Sequence, residues 1–156
     1  MISLIAAIGK NNELGKDNDL LWHIKDDLEN FKNLTMGKYI VMGANTYYSL
    51  PKKLKGRKYI VLSKKIKEIE QGMVFSSFDD LLNFIKLQKE EVMIIGGGSI
   101  YSLFMPFCDK MYLTEIEDSK EADVYFPKFD KRKFKRKVLE EKECGDLKYK
   151  FVVYER

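Results

Sequence analysis

The stretch V-M-I-I-G-G-G-S-I-Y, residues 92–101, decides the fold class. Val92 to Ile95 are consecutive apolar residues, a run typical of a strand buried on both faces of a parallel sheet. Gly96-Gly97-Gly98 then turns the chain into a helix that begins around Ser99 and that Pro106 ends. A buried strand followed directly by a turn and a helix is the repeating unit of an α/β fold.

The same unit recurs upstream. Continuous or nearly continuous apolar runs predict strands at Ile2 to Ile8, Tyr39 to Met42, Tyr59 to Leu62 and Met73 to Phe75. After the second of these strands, Gly43-Ala44-Asn45-Thr46 opens a short helix that Pro51 stops, with Asn45 or Thr46 as its cap. Ser77 caps a further helix that runs through Gln88. This alternation predicts a mostly parallel twisted central sheet flanked by helices, with ligands at the carboxyl ends of the strands.

The pattern changes after Lys110. A strand is predicted at Met111 to Ile116 and a short edge segment at Ala122 to Pro127. The alternating segments Phe134 to Lys142 and Lys148 to Glu155 flank a Gly-Asp turn and predict a C-terminal antiparallel hairpin. We therefore expect one α/β domain that spans residues 1–156.

Composition narrows the function classes. The net charge is +4, and most lysines alternate with acids, which favours a solvated surface over a nucleic-acid face. Cys108, Cys144 and the single histidine, His23, form no metal-binding spacing, and His23 is expected at the surface near a helix start. The amino terminus lacks the basic lead of a signal peptide, and no apolar run approaches the roughly 20 residues of a membrane span. We expect a cytoplasmic protein without a metal.

The stretch L-L-W-H-I-K-D-D-L-E-N-F, residues 20–31, places an acid on the apolar side of a helix. The apolar stripe consists of Ile24, Leu28, Phe31 and Thr35. Asp27 falls inside this stripe, whereas Asp26 faces solvent, and no Lys or Arg shares the stripe to pair with Asp27. Because a buried carboxylate needs a partner, Asp27 binds either a backbone amide or buried water, or a ligand with paired N–H donors in a pocket walled by Trp22.

Two glycine-containing corners follow strands and are candidates for phosphate binding. The glycine triplet would let main-chain N–H groups approach a pyrophosphate, although a tight turn alone also explains it. The corner at Gly43 to Thr46 makes a shared phosphate site the favoured interpretation. The polar segment Lys10 to Asp19, just ahead of Trp22, is either an ordinary connecting loop or a lid.

Arg57 is one of four arginines in a chain that otherwise uses lysine. Its guanidinium can grip a carboxylate through two parallel hydrogen bonds, which a lysine cannot do. Arg57 is therefore a candidate anchor for an acidic substrate, and a surface ion pair is the alternative.

Seven motifs in constant order join these features. They are I-S-L-I-A-A-I-G, W-x-x-x-x-D-L-x-x-F, M-G-x-x-T-Y, L-x-G-R, I-G-G-G-x-x-Y, Y-L-T and F-P, between Ile2 and Pro127. In this order and spacing the chain closely resembles the dihydrofolate reductases of the bacterial chromosomal type. The resemblance implies that NADPH delivers a hydride to the position 6 carbon of dihydrofolate, with protonation of the adjacent nitrogen, in support of one-carbon metabolism and thymidylate synthesis.

The resemblance also implies residue roles. The catalytic group would be Asp27, Trp22, Thr114, Leu20 and Tyr101, with Trp22 and Thr114 ordering solvent and the Asp27 carboxylate. The substrate-binding residues would be Ile5, Ala6, Asp27, Leu28, Phe31, Leu50, Leu54, Arg57, Ile95 and Thr114. The cofactor-binding residues would be Ala7, Leu14, Gly15, Asn18, Gly43, Ala44, Asn45, Thr46, Leu62, Ser63, Lys64, Ile95, Gly96, Gly97, Gly98, Ser99, Ile100 and Tyr101. The family further implies a cis peptide between Gly96 and Gly97, a monomer, and a small-molecule substrate without nucleic-acid or membrane partners.

The chain departs from the family pattern at several positions. Ala44 stands where many relatives place an arginine that meets the adenosine 2′-phosphate, so the preference for NADPH would depend on Ser63 and Lys64. Leu21 replaces a common proline, and Ala122 replaces a frequent glycine in the loop that supports the lid, which predicts altered lid kinetics. Two other functions remain open from the sequence: a non-catalytic nucleotide-binding module on the same scaffold, and a basic RNA-binding domain.

Overall fold

Strands and helices alternate through most of the computed structural model, which describes residues 1–17, 19–50 and 54–156. The strands are β1 Ile2–Ile8, β2 Glu13–Lys16, β3 Asp19–Leu20, β4 Tyr39–Gly43, β5 Lys58–Leu62, β6 Gly72–Phe75, β7 Val92–Gly96, β8 Lys110–Ile116, β9 Val124–Tyr125, β10 Lys135–Cys144 and β11 Leu147–Glu155. The helices are α1 Lys25–Thr35, α2 Ala44–Ser49, α3 Phe78–Lys86 and α4 Gly98–Phe104.

One sheet of eight strands organises the molecule, in the order β10-β11-β8-β1-β7-β4-β5-β6. β1 pairs in parallel with both β7 and β8, and β4, β5 and β6 continue the parallel arrangement. β11 pairs antiparallel with β8 and β10, with a bulge between Val138 and Glu140. The predicted α/β fold, with a mostly parallel sheet and a C-terminal antiparallel hairpin, is confirmed. The carboxyl ends of β1, β4, β5 and β7 consequently meet at one edge.

The helices follow the predicted apolar runs, with differences at their ends. Ser77 caps α3 as predicted, because its hydroxyl accepts from the Asp80 amide at 3.3 Å, but the helix ends at Lys86 and not at Gln88. The predicted cap of α2 is wrong, since Gly43 occupies the N-cap position and makes no side-chain cap. The predicted stop at Pro51 lies outside the described residues. In those residues no helix is both long and apolar enough to cross a membrane.

The segment Lys10 to Asp19, predicted as a loop, contains β2 and β3 instead. These strands form a second, three-stranded sheet in the order β3-β2-β9, so that the predicted edge segment at Ala122 to Pro127 supplies β9 to this sheet and not to the large one. The polar composition of β2 hid the strand, which pairs on one side with the two-residue strand β3 and on the other with β9, more than 100 residues later in the chain.

A polar network closes the opposite end of the large sheet. Glu91 accepts hydrogen bonds from Ser3 Oγ at 2.5 Å, Tyr112 Oη at 2.9 Å and Lys38 Nζ at 2.7 Å. The three donors lie at or beside the starts of different strands, so one carboxylate ties β1, β4 and β8 together just before β7 begins. Burial acts to raise the pKa of Glu91, but these donors outweigh it and hold the pKa below its ordinary value.

We expect Glu91→Gln to lower the free energy of unfolding by about 2 kcal/mol at neutral pH, since buried donors lose a charged acceptor. Because the folded pKa is lowered, this stabilisation is complete above the ordinary pKa of a glutamate and disappears as the pH falls through the lowered value. Urea unfolding as a function of pH measures the difference. The exposed neighbour Glu90, changed to Gln, is the control, and an equal loss in both variants would contradict the network's importance.

Candidate active site

Asp27 lies in the first turn of α1, half-buried, with its carboxylate turned toward the sheet. Thr114 of β8 donates its hydroxyl to Asp27 Oδ1 at 2.5 Å. Among the described residues this is the single side-chain hydrogen bond to Asp27. Burial raises the pKa of Asp27, and the Thr114 hydroxyl opposes this rise only in part. The partner that the protein provides is thus a hydroxyl and not the backbone amide considered from the sequence.

Asp26 differs from Asp27 as predicted. Its side chain is exposed and lies 3.4 Å from both Lys142 Nζ and Tyr149 Oη. The adjacent pair therefore separates into one acid that joins α1 to the C-terminal hairpin and one acid without a cationic partner in the described residues.

Trp22 is buried directly ahead of α1 and packs with Ile24, Ile116 and Phe151. Its indole N–H donates to Asp118 Oδ2 at 2.9 Å, and this bond holds the pKa of Asp118 below its ordinary value. The one polar atom of this tryptophan is therefore engaged by the segment that precedes β9, and its role in ordering solvent beside Asp27 stays a prediction. Sequence periodicity does not reveal a contact between residues 96 positions apart.

Most of the predicted substrate walls meet in one apolar cluster on the same side of the sheet. Its members among the predicted residues are Ile5, Phe31, Leu50, Leu54 and Ile95. Leu28 and Leu20 do not join it and are 45% and 51% exposed, respectively. The predicted buried stripe of α1 is therefore wrong at Leu28, and Leu34 packs against this cluster instead.

Tyr101 supports the site from behind. It is buried in α4, and its hydroxyl donates to the main-chain oxygen of Ile5 at 2.6 Å. Burial, with a further contribution from the Asp27 charge, raises the pKa of Tyr101 far above its ordinary value, so the hydroxyl stays protonated. This contact fixes the end of β1, where Ala6 and Ala7 are only half-buried.

Within residues 1–17, 19–50 and 54–156, Arg57 forms no ion pair. Its guanidinium donates to the main-chain oxygens of Lys55 at 2.6 Å and Lys32 at 2.7 Å, and its Nε donates to Thr35 Oγ1 at 3.2 Å. A guanidinium has five N–H groups, so two remain beyond these three contacts. The contacts lock the side chain between α1 and the start of β5, and leave a pair of donors for a carboxylate.

The two predicted phosphate corners face each other at the carboxyl ends of β4 and β7. A Cβ atom built on Gly97 would lie 3.7 Å from Thr46 Oγ1, and one built on Gly43 would lie 3.1 Å from Ile100 Cγ1. The peptide between Gly96 and Gly97 is cis, as the resemblance implied. Leu14 packs beside the main core, and Gly15 is buried, whereas Asn45 and Ser99 are exposed. Asn18 lies outside the described residues.

Next to these corners a cavity of about 550 Å³ opens between β5, α3 and α4. The predicted residues Leu62, Ser63, Lys64 and Ile100 line it. The described site thus offers, along one edge of the sheet, an acid beside an apolar cleft, two glycine-containing corners and a cavity lined by apolar side chains together with serines and Lys64.

Known proteins resemble the chain along its whole length. A sequence model of the family described as dihydrofolate reductase matches residues 1–156. The dihydrofolate reductase of Bacillus subtilis is 39% identical over 161 residues, which cover 100% of this chain and 95% of the relative. That of Haemophilus influenzae is 39% identical over 128 residues, covering 82% and 79%, and that of Staphylococcus haemolyticus is 36% identical over 161 residues, covering 99% and 95%.

The chain belongs to the dihydrofolate reductase family. The family predicted from the seven motifs is confirmed, and with it the class of enzyme, an oxidoreductase that uses a nicotinamide cofactor. The residues present fit such a cofactor, because the glycine corners let the backbone approach a pyrophosphate and the neighbouring cavity is lined by hydroxyl groups.

Several residues of this dihydrofolate reductase site could not be found from the sequence. Ser76, Phe78 and Asp79 line the cavity beside Lys64, although the sequence indicated only a helix start there. Glu13 is a buried acid in a segment whose polar composition indicated a loop, and Asp118 gave no signal at all. Asp118 and Glu13 acquire their positions through contacts with residues 96 and 106 positions away in the chain.

Proposed function

We propose that the protein reduces 7,8-dihydrofolate to 5,6,7,8-tetrahydrofolate with NADPH, through a site formed by residues of the single chain 1–156. The observation that carries this proposal is the half-buried Asp27 carboxylate, which has a hydroxyl partner on one oxygen and lies beside an apolar cleft. A pterin ring supplies what such a group lacks, namely a flat apolar surface with two adjacent N–H donors.

Asp27 binds and orients the pterin in this proposal. Thr114 fixes the orientation of the carboxylate through Oδ1, and this leaves both oxygens facing the ligand with at least one lone pair each. Because its pKa is raised, Asp27 keeps its proton up to a higher pH than an exposed aspartate does. The acid thereby favours protonation of the ring nitrogen next to the carbon that receives the hydride.

The apolar cluster and Arg57 hold the two ends of the substrate. Ile5, Phe31 and Ile95 offer apolar walls for the pterin and benzoyl rings, while the exposed Leu28 and Leu20 would lie over them. The two free N–H groups of the Arg57 guanidinium would take the carboxylate of the glutamate tail. Because its main-chain contacts hold the guanidinium rigid, little side-chain entropy is lost on binding.

When bound, the nicotinamide supplies the hydride. The chain's own contribution is to bind and orient it: Ala7, Leu14 and Gly15 flank the end of β1, and Gly43, Thr46 and Gly96 to Ser99 provide the glycine corners. Tyr101 acts through Ile5, whose main-chain oxygen it fixes, and Ile100 fills the space between the two corners.

The preference for NADPH rests on the cavity beside Ser63 and Lys64. Among the described residues that line this cavity Lys64 is the one cation, and Ser63 and Ser76 add hydroxyl groups. Ala44 supplies no charge from α2, and Asp79 places a carboxylate in the same cavity. We therefore expect the protein to prefer NADPH to NADH, and we expect this preference to depend on Lys64.

Lys64→Gln should raise the KM for NADPH about tenfold, the loss of one charge-assisted contact to a phosphate, and should leave the KM for NADH unchanged. Initial rates with each cofactor at saturating dihydrofolate give the two values. The exposed neighbour Lys65, which does not line the cavity, provides the matched control as Lys65→Gln. A parallel rise in both KM values would place the adenosine phosphate elsewhere.

The function is tested directly by following the absorbance of reduced nicotinamide after dihydrofolate is added, with tetrahydrofolate identified by mass spectrometry. A catalyst consumes the cofactor only when substrate is present. A non-catalytic nucleotide-binding module binds NADPH without consuming it, and an RNA-binding domain shows an affinity for RNA that falls steeply with salt. Binding of NADPH without turnover would overturn the proposal.

The proposed place of action is the cytoplasm, and the proposed active form is the monomer. Both cysteines are free, Cys108 in the core and Cys144 at the hairpin turn, which suits a reducing compartment. All the residues assigned to substrate and cofactor come from one chain, so the site needs no second copy.

A further inference from the structure

Glu13 is a buried acid that the proposed reaction does not use. It lies in β2 and is 1% exposed. Its Oε1 accepts from the Asn11 amide at 2.6 Å, and its Oε2 accepts from Ser119 Oγ at 2.6 Å and from the Lys120 amide at 2.9 Å. Burial acts to raise its pKa, but these donors outweigh burial and hold the pKa below the ordinary value, so the group is a carboxylate at neutral pH.

The segment that Glu13 holds is the same segment that holds Trp22. Asp118 accepts the indole N–H at 2.9 Å. Lys120 donates through Nζ to the main-chain oxygen of Leu21 at 2.9 Å, and the same ammonium group lies 5.6 Å from the centre of the Trp22 ring. Residues 118–120 therefore contact Glu13 on one side and Trp22 on the other.

The outer edge of the indole meets the turn after β1. A Cβ atom built on Gly9 would lie 2.5 Å from a ring carbon of Trp22 and 2.7 Å from Glu13 Oε1. The ring consequently has little freedom to move while residues 118–120 stay in place. We call residues 9, 13 and 118–120 the indole clamp.

Backbone hydrogen bonds also join these segments, from the Lys10 amide to the Asp118 oxygen at 2.9 Å and from the Asp123 amide to the Gly15 oxygen at 3.0 Å. The side-chain contacts that accompany them are exposed. Lys16 and Glu121 form an ion pair at 2.9 Å, but the Glu121 side chain is 84% exposed. An ion pair of this kind contributes little to a fixed geometry because water and salt screen it. Glu13 is the one member of the connection with a buried charge and three donors, and removing the charge leaves those donors without an adequate acceptor.

We propose that Glu13 is a positioning residue, whose buried carboxylate fixes residues 118–120 and through them the Trp22 ring ahead of the Asp27 helix. Glu13 touches neither substrate nor cofactor. Its effect on turnover rests on the proposed function, whereas its effect on Trp22 does not. The clamp also ties β2 of the small sheet to the start of α1, so one group sets both elements.

The test uses the intrinsic fluorescence of the full-length protein, in which Trp22 is the only tryptophan. Glu13→Gln keeps the size of the side chain and removes the charge. We expect the emission of this variant to shift to longer wavelength and its quenching by acrylamide to rise about twofold or more, because the ring gains access to water. We expect kcat to fall about tenfold with little change in the KM for dihydrofolate, since misplacement affects the reacting geometry more than the distant tail contact.

Glu117→Gln is the matched control, because it makes the same chemical change on an exposed residue of the same segment. Asp118→Ala is the second variant; it removes the acceptor of the indole N–H while leaving Glu13 in place, and it should reproduce the fluorescence change if Glu13→Gln fails to fold. A Glu13 variant that loses thermal stability but keeps the emission, quenching and kcat of the control would overturn the proposal. If the wild-type protein lacks reductase activity, the proposed function fails, and the fluorescence comparison still decides the clamp.

Discussion

Asp27→Asn lowers kcat for dihydrofolate reduction by about 100-fold or more at neutral pH, because general acid–base assistance is worth at least that factor in a typical enzyme. The amide keeps the shape of the carboxylate and still accepts from Thr114. It cannot carry the proton or accept from two pterin N–H groups at once. Steady-state and single-turnover rates on the purified variant measure the loss.

The same substitution should stabilise the folded protein at neutral pH, although it lowers kcat. Burial raises the pKa of Asp27 in the folded protein, so the group favours folding most at pH values below its ordinary pKa, and this contribution is lost as the pH rises through the raised value. At neutral pH the buried charge of Asp27 therefore destabilises the folded protein, and Asp27→Asn unfolds at a slightly higher temperature than the wild type. The wild-type kcat/KM should fall as the pH rises above the raised pKa, while the variant's profile is flat there.

Asp26→Asn separates the role of the site from that of the helix start. It removes a carboxylate from the adjacent position of the same helix turn, where the acid is exposed and contacts Lys142 and Tyr149. Activity within about twofold of the wild type is expected, since exposed pairs contribute little. If Asp26→Asn is as inactive as Asp27→Asn, the loss belongs to α1 as a whole, and the assignment of Asp27 is wrong.

Arg57→Lys raises the KM for dihydrofolate by roughly 30- to 150-fold and changes kcat little, because truncation of a bidentate charged contact costs about 2–3 kcal/mol. The reacting ring lies at the other end of the substrate, so the effect is on binding. A lysine also cannot satisfy the oxygens of Lys32 and Lys55 together with a ligand carboxylate. Initial rates over a range of dihydrofolate concentrations give KM and kcat separately.

Two comparisons make this result specific to the tail. Thr35→Val removes the hydroxyl that accepts from Arg57 Nε but keeps the guanidinium, and it should raise KM only a few-fold. A reduced-pterin substrate without the glutamate tail should react with wild type and Arg57→Lys alike. A large penalty for Arg57→Lys on the truncated substrate would show that Arg57 supports the fold of the site and does not anchor a carboxylate.

The sequence was sufficient for the large sheet because its signals are local. Apolar runs such as Val92 to Ile95 predict buried strands, and the glycine triplet marks the turn that the structure places at the end of β7. The position of Asp27 on its helix was also predictable. A helix has about 3.6 residues per turn, so the adjacent residues Asp26 and Asp27 face different directions. Both of these features depend on residues within one or two turns of each other.

What the sequence could not predict are contacts between distant segments. Thr114 lies 87 residues from Asp27, Asp118 lies 96 residues from Trp22, and Ser119 lies 106 residues from Glu13. Periodicity predicts which face of a helix or strand a residue occupies, but it does not predict which side chain of the neighbouring element that residue contacts. The small sheet was missed for this reason, because β2 has no apolar face of its own and is completed by β9.

The outermost strand of the hairpin, β10, carries a consequence for self-association. β10 is an edge strand of ten residues in the described sheet, which is long enough for a strand of a second molecule to pair with it. Lys135, Arg136 and Lys137 crowd one half of it with like charge, and the bulge between Val138 and Glu140 interrupts the register. A second copy aligned parallel and in register would bring these like charges together and would meet mismatched hydrogen bonds at the bulge, so this border disfavours that form of stacking into fibrils.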